Sequence, residues 1–129
     1  MLDFTKKLRE LPDFISLSGA TMKQIDNSEK KLNVKFSNEY RTYLFEFGVA
    51  SADGHEFTGI CTSSRLNVID VTLVERNRNP KISNDYYVVE QTNFDGIVVW
   101  QSNTGEVFQT SPNMQIMKLC DSLCEYLEL

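Results

Sequence analysis

Apolar positions along the chain follow two periods, and the change between them falls just after Gly48. Before it the spacing is helical. Phe4, Leu8 and Leu11 mark a short helix over Asp3–Leu11, which Pro12 stops or turns. Ser18-Gly19-Ala20 is a connector. Thr21 and Gln24 then match a capping box, in which the hydroxyl accepts from the backbone of Gln24 and the amide reaches back. Met22, Ile25, Glu29 and Leu32 share the face of the helix that follows, so its stripe is apolar apart from Glu29. Asn33 fits the stop, and Val34-Lys35-Phe36 is a brief extended link. Ser37 is the next N-cap. Tyr40, Tyr43, Leu44 and Phe47 fall at i, i+3, i+4 and i+7 behind it, which predicts an aromatic core stripe ended by Gly48 at the left-handed C′ position.

Beyond Gly48 the period shortens. Glu56–Thr62 is a strand candidate around Gly59, Asp85–Gln91 a second, and Glu106–Thr110 an alternating third. Ile97–Gln101 is an almost unbroken apolar run, which predicts a central strand with Trp100 in the core. Asn93–Gly96 and Ser102–Gly105 are turns, and Asp95-Gly96 is a hairpin signal. These strands read as an antiparallel meander. Leu66–Asn79 stays open. Val68, Ile69, Val71, Thr72 and Val74 favour a strand by β-branching, yet Asn67 is a good N-cap and Ile69, Leu73 and Arg76 keep helical spacing. Ser111-Pro112-Asn113 breaks the chain. Ile116, Leu119, Cys120, Leu123, Cys124 and Leu127 then predict a closing amphipathic helix over Ile116–Leu127. The expected fold is α+β: a single, mainly antiparallel sheet with helices packed on it, helical at both termini.

Size and charge narrow the functions. The chain has 129 residues and shows no repeat or linker, so one domain spanning 1–129 is expected. A formal net charge of −5 disfavours nucleic-acid binding, which needs clustered Lys and Arg. No stretch approaches the roughly 18 apolar residues that span a bilayer, and the N-terminus lacks a signal-peptide core. The expected location is the cytoplasm, with no membrane partner. Three cysteines, Cys61, Cys120 and Cys124, fit a reducing compartment.

Candidate chemistry is sparse. Asp53-Gly54-His55-Glu56 holds the chain's one histidine beside two carboxylates. A metal hydrolase would need a second His or Cys at fixed spacing, and neighbours on a strand point to opposite faces. Cys120 and Cys124 share a face of the expected last helix, where free cysteine packs as a small hydrophobe. Phosphate loops and nucleophile elbows are absent from the sequence. No catalytic residue, metal or cofactor is therefore expected. Arg76 and Arg78, with Lys81, form the one compact basic spot and read as a solvated element end. Asp85, Glu90, Asp95 and Glu106 fall in a stretch without Lys or Arg from Asn84 through Gln115. Such a stretch makes a negative field suited to a basic partner. These four, with Asp53 and Glu56, are the candidate partner-binding residues.

The stretch from Thr21 to Gly48 resembles the opening signature of the SUKH superfamily, Smi/Knr-type: a helix with Glu-Lys-x-Leu, a hydrophobic link, then a helix with a tyrosine and an aliphatic-aromatic ending. Glu29, Leu32, Tyr40, Leu44 and Phe47 match it. Gly59 resembles a family glycine, and Ser122, Leu123, Tyr126 and Leu127 resemble the final helix. The family's usual Leu-Pro is replaced by Phe36-Ser37, and its Asn-Gly by Phe47-Gly48. The resemblance implies a helix within Leu66–Asn79. It also implies an immunity protein that binds and neutralises a cognate secreted toxin, often a nuclease. The alternative it implies is a non-catalytic regulatory scaffold.

Overall fold

Side chains fix where the helices begin. In the computed structural model, which describes residues 3–129, Asp3 accepts from Lys6 N and starts α1 (Phe4–Glu10). Thr21 and Gln24 form the expected reciprocal capping box at the head of α2 (Met22–Leu32), and Asn33 ends that helix at φ 54°. Ser37 accepts from Tyr40 N to open α3 (Asn38–Phe47). Each device satisfies backbone groups that a helix end leaves unpaired.

The aromatic stripe of α3 is core, with Tyr40, Tyr43, Leu44 and Phe47 all buried. Buried tyrosines need partners for their hydroxyls, and these hold loops and strands in place. Tyr43 Oη accepts from Ala50 N and donates to Thr58 O, both at 2.9 Å. Tyr87 Oη accepts from Ser37 N at 2.9 Å and donates to Gln101 Oε1 at 2.8 Å.

β1 (Ile15–Ser16), β2 (Ala50–Ala52) and β3 (His55–Glu56) form a three-stranded antiparallel sheet. β4 (Tyr87–Gln91), β5 (Val98–Gln101), β6 (Val107–Thr110) and β7 (Met117–Cys120) form a four-stranded antiparallel meander. The single sheet expected is thus two, meeting at one antiparallel bridge between Phe57 and Glu90. Past that bridge the chain leaves β4 to run against Gly48. A Cβ on Gly59 would lie 1.7 Å from Gly48 O, and Ile60 N donates to the same carbonyl at 3.0 Å. The strand expected over Glu56–Thr62 is cut short for this reason.

The segment left open by its periodicity contains α4 (Val68–Arg78). Asn67 Oδ1 accepts from Ile69 N and Asp70 N, and Val68, Val71, Thr72 and Glu75 form the buried face. Thr72 Oγ1 also accepts from Val88 N of β4 at 3.0 Å. The weak helix preference of β-branched residues costs at most about 0.7 kcal/mol each, and packing on β4 outweighs it. β5 is buried throughout. Val98 and Trp100 pack with Val71, Ile82 and Val88 on the α4 side. Val99 belongs to the main core with Tyr87, Val89 and Val107. Burial on both faces explains the apolar run, and Trp100 is interior, donating from Nε1 to Thr110 Oγ1 at 2.9 Å.

The closing helix expected over Ile116–Leu127 does not form as such. Its first part is β7, and only Leu123–Tyr126 is helical, as α5. Ser122 accepts from Glu125 N, and Glu125 Oε1 accepts from Asp121 N at 2.9 Å. This cap sits inside the apolar stripe and divides it. The open edge of β6 takes the first part, with Met117 paired to Gln109 and Lys118 to Phe108. Cys120 therefore lies on a strand and Cys124 on a helix, not on one helical face. Among the described residues no helix is long and apolar enough to cross a membrane.

Candidate functional site

The Asp53–Glu56 turn lies where the two sheets meet. Asp53 at φ 49° and Gly54 at φ 83° occupy left-handed space, and Ala52 pairs with His55 across them. Asp-Gly favours this two-residue hairpin, whose twist matches the strands it joins. His55 and Glu56 then point to opposite faces. His55 Nδ1 lies 2.9 Å from Glu90 Oε1, and its ring stacks on Phe57 at 5.4 Å. Glu56 turns outward to Arg65, whose guanidinium grips both carboxylate oxygens at 2.8 and 3.1 Å. That pair holds the Glu56 carboxyl below its usual range.

Glu90 is the centre of the junction. Its Oε1 accepts from Tyr126 Oη at 2.7 Å and its Oε2 from Glu56 N at 3.0 Å. Glu90 is only 5% exposed, which corrects its expected place on an acidic outer face. Both faces of β4 are covered here, and a β-bulge between Val88 and Glu90 sets which of them it takes. Val88 pairs with Trp100 on the α4 side, but Glu90 pairs with Val99, which faces the main core. Without the extra residue Glu90 would fall opposite Val98 on the covered α4 side; the bulge turns its carboxylate toward the main core instead. The hydrogen bond to Glu90 favours charged imidazole and raises the His55 pKa, while desolvation opposes it.

The other acidic candidates are not brought together. Glu106 pairs with Lys118 at 2.8 Å, and Lys118 also holds Asp121 at 2.7 Å. Asp85 and Asp95 are exposed but flank β4 at opposite ends. Asp53 is exposed on its turn, and its amide donates to Pro12 O at 2.8 Å, which sets it beside Asp13. The stretch without Lys and Arg is real in sequence, yet it makes no continuous acidic face.

Sequence reasoning passed over two carboxylates, Glu39, which is half-buried, and Glu75, which is buried. Glu39 accepts from Leu123 N at 2.6 Å, Cys124 N at 3.0 Å and Gln101 Nε2 at 3.1 Å, so α3 caps the start of α5. Desolvation raises its pKa against those bonds. Glu75 accepts from Gln91 Nε2 at 2.8 Å, tying α4 to β4. Glu29 was visible as the break in the α2 stripe. It accepts from Phe36 N and from Arg41 Nη1, both at 2.8 Å. Buried carboxylates of this kind are held by charge-assisted hydrogen bonds.

At the far end of the meander the expected Asn93–Gly96 turn is formed, with Asp95 at φ 53° and Gly96 at φ 68°. Gly96 abuts the β6–β7 loop, where a Cβ would come within 2.8 Å of Pro112 Cγ. Phe94 and Met114 are 66% and 72% exposed on these two segments. Cys61 and Cys120 are half-buried and Cys124 is buried. Among the described residues no three His, Cys, Asp or Glu side chains are placed to hold a metal. The profile of the SUKH_6 family, described as SMI1-KNR4 cell-wall, matches residues 22–127. No curated protein sequence matches the chain.

Proposed function

The chain belongs to the SUKH_6 family, SMI1-KNR4 cell-wall, and from that membership we propose that it is an immunity protein. It binds a cognate secreted toxin in the cytoplasm and neutralises it without catalysing a reaction. The carrying observation is the match over residues 22–127, which takes in α2 through α5. Support comes from the carboxylates. Glu29, Glu39, Glu75 and Glu90 each hold parts of the fold together, so the acids available to a partner are exposed ones such as Asp53, Asp85 and Asp95.

A nuclease toxin needs a positive cleft to hold phosphates. An acidic protein is steered to such a cleft quickly and blocks it without touching the reacting groups. Phe94 stands beside Asp95 and supplies an aromatic anchor of the kind that dominates interface energies. Glu90 has no part in this contact, because reversing its charge would break the sheet junction.

Co-expression with the toxin encoded by the neighbouring gene tests the proposal. Growth should be restored, and the two proteins should co-elute. Asp53→Asn, Asp85→Asn and Asp95→Asn together, which remove the charges yet suit the left-handed positions 53 and 95, should slow association and weaken its salt dependence while leaving the melting curve unchanged. Failure to protect against that toxin, with no complex formed, would remove the immunity reading and favour a scaffold. Full protection by the triple variant would remove only the electrostatic mechanism.

A further inference from the structure

The basic spot that the sequence marks as a solvated helix end forms one wall of a groove. The groove encloses about 600 Å³ between the turn after α4 and the β6–β7 loop. Arg78 and Lys81 lie on the first wall, Pro112, Met114 and Ile116 on the second, and Ile82 lies between neighbouring core residues and the opening. Among the described residues no acidic side chain lines it, although the whole chain carries a net charge of −5. Lys81 has no carboxylate partner among the described residues. Arg78 is 67% exposed and makes one ion pair, to Glu75 at 3.3 Å. Met114 and Ile116 are 72% and 41% exposed.

We propose that this groove binds an extended segment of a partner protein in which acidic side chains flank a large apolar one. Carboxylates would meet Lys81 and Arg78, and the apolar side chain would pack against Met114 and Ile116. Methionine is suited to this because its unbranched thioether adapts to the shape it meets. The charge of the lining selects against a basic segment by leaving cations opposed to cations. It also fits a peptide better than a nucleic acid. Arg76, the third cation of the spot, is turned away to Asn84 O and Tyr86 O at 2.8 and 3.3 Å, and two cations make a small phosphate footprint. Strand addition at the free edge of β7 is not the mode of binding. That edge carries Lys118 and a register shift opposite Val107 and Phe108, devices that discourage pairing. The inference stands on the groove and does not rest on the toxin reading.

The test is selection of a displayed library of random short peptides on the immobilised protein, followed by fluorescence anisotropy with the selected peptides. Enrichment of Asp or Glu beside Leu, Phe or Met is expected. Lys81→Glu, at an exposed position, should weaken those peptides about tenfold, and high salt should weaken them as well. Amide resonances of Met114 and Ile116 should move on titration. Enrichment of basic sequences, or of none, would overturn the proposal. So would affinity indifferent to Lys81→Glu, resonance shifts confined to other surfaces, or Lys81-dependent binding of oligothymidylate in place of peptide.

Discussion

Glu90 is itself buried and gathers three donors: the His55 ring, the Tyr126 hydroxyl and the Glu56 amide. Removing its carboxylate strands all three at once. Glu90→Ala should lower the free energy of unfolding by about 3 kcal/mol, near the cost of breaking a buried charged pair. Urea denaturation measures this directly, and a loss no larger than that of an exposed substitution would mean that the junction contributes little. His55 adds a pH dependence. Its folded pKa lies above the ordinary 6.5, so protonated His55 binds Glu90 and its stabilisation is fully present below that value. The stabilisation is lost as the pH rises through the folded pKa. The difference in stability between the parent and His55→Gln should therefore shrink on going from about pH 6 to about pH 9. As the chain has one histidine, its ring resonances report the titration without overlap. A folded value below 6.5 would reverse the argument.

Among the elements, the contact of Gly59 with Gly48 decides where β3 ends and how the chain reaches α4. The obstacle to a side chain at Gly59 is backbone, the Gly48 carbonyl oxygen 1.7 Å from where a Cβ would sit, and backbone cannot rotate aside as a side-chain tip does. Gly59→Ala should lower the melting temperature far more than Gly54→Ala, where a Cβ meets nothing within 4 Å. Left-handed φ strains alanine at Gly54 too, so a larger effect there would show that turn conformation, not the close approach, governs this region. The same scale explains the two elements whose apolar spacing misleads. α4 is rich in β-branched residues yet helical, since Asn67 caps it and its buried face meets β4. The stretch before α5 keeps helical spacing yet is a strand, since β6 offers it an edge and the cap falls at Ser122.

For the whole molecule, the two sheets share one bridge, but the main core crosses between them. Phe4, Tyr43, Ala50 and Phe57 pack in the same cluster as Tyr87, Val99, Val107 and Leu123. Trp100 reports from the smaller cluster on the α4 side. If the chain folds as one domain, Trp100 fluorescence and far-UV circular dichroism should follow a single coincident urea transition. An earlier transition at Trp100 would mean that α4 and its side of the meander open separately. The groove between the turn after α4 and the β6–β7 loop borders this smaller cluster, so such opening would also loosen the proposed peptide site.

The sequence alone determined what adjacent residues can settle among themselves. The caps at Thr21 and Ser37, the stop at Asn33, the aromatic stripe of α3 and the turn at Asp95-Gly96 all follow from local hydrogen bonding and spacing, and all are present. The unbroken run of β5 likewise announced its burial. Asp53-Gly54 carried the same hairpin signal as Asp95-Gly96, and it could have placed β2 and β3. Tertiary structure decided whatever depends on a neighbour distant in sequence. It chose helix for Val68–Arg78, strand for Met117–Cys120, and two sheets in place of one. It also decided which acidic residues face water. β4 is covered on both faces, so Glu90 lies inside, and Lys118 neutralises Glu106 from the next strand. A charge pattern along a chain counts signs, whereas a surface depends on which way each side chain points and what meets it.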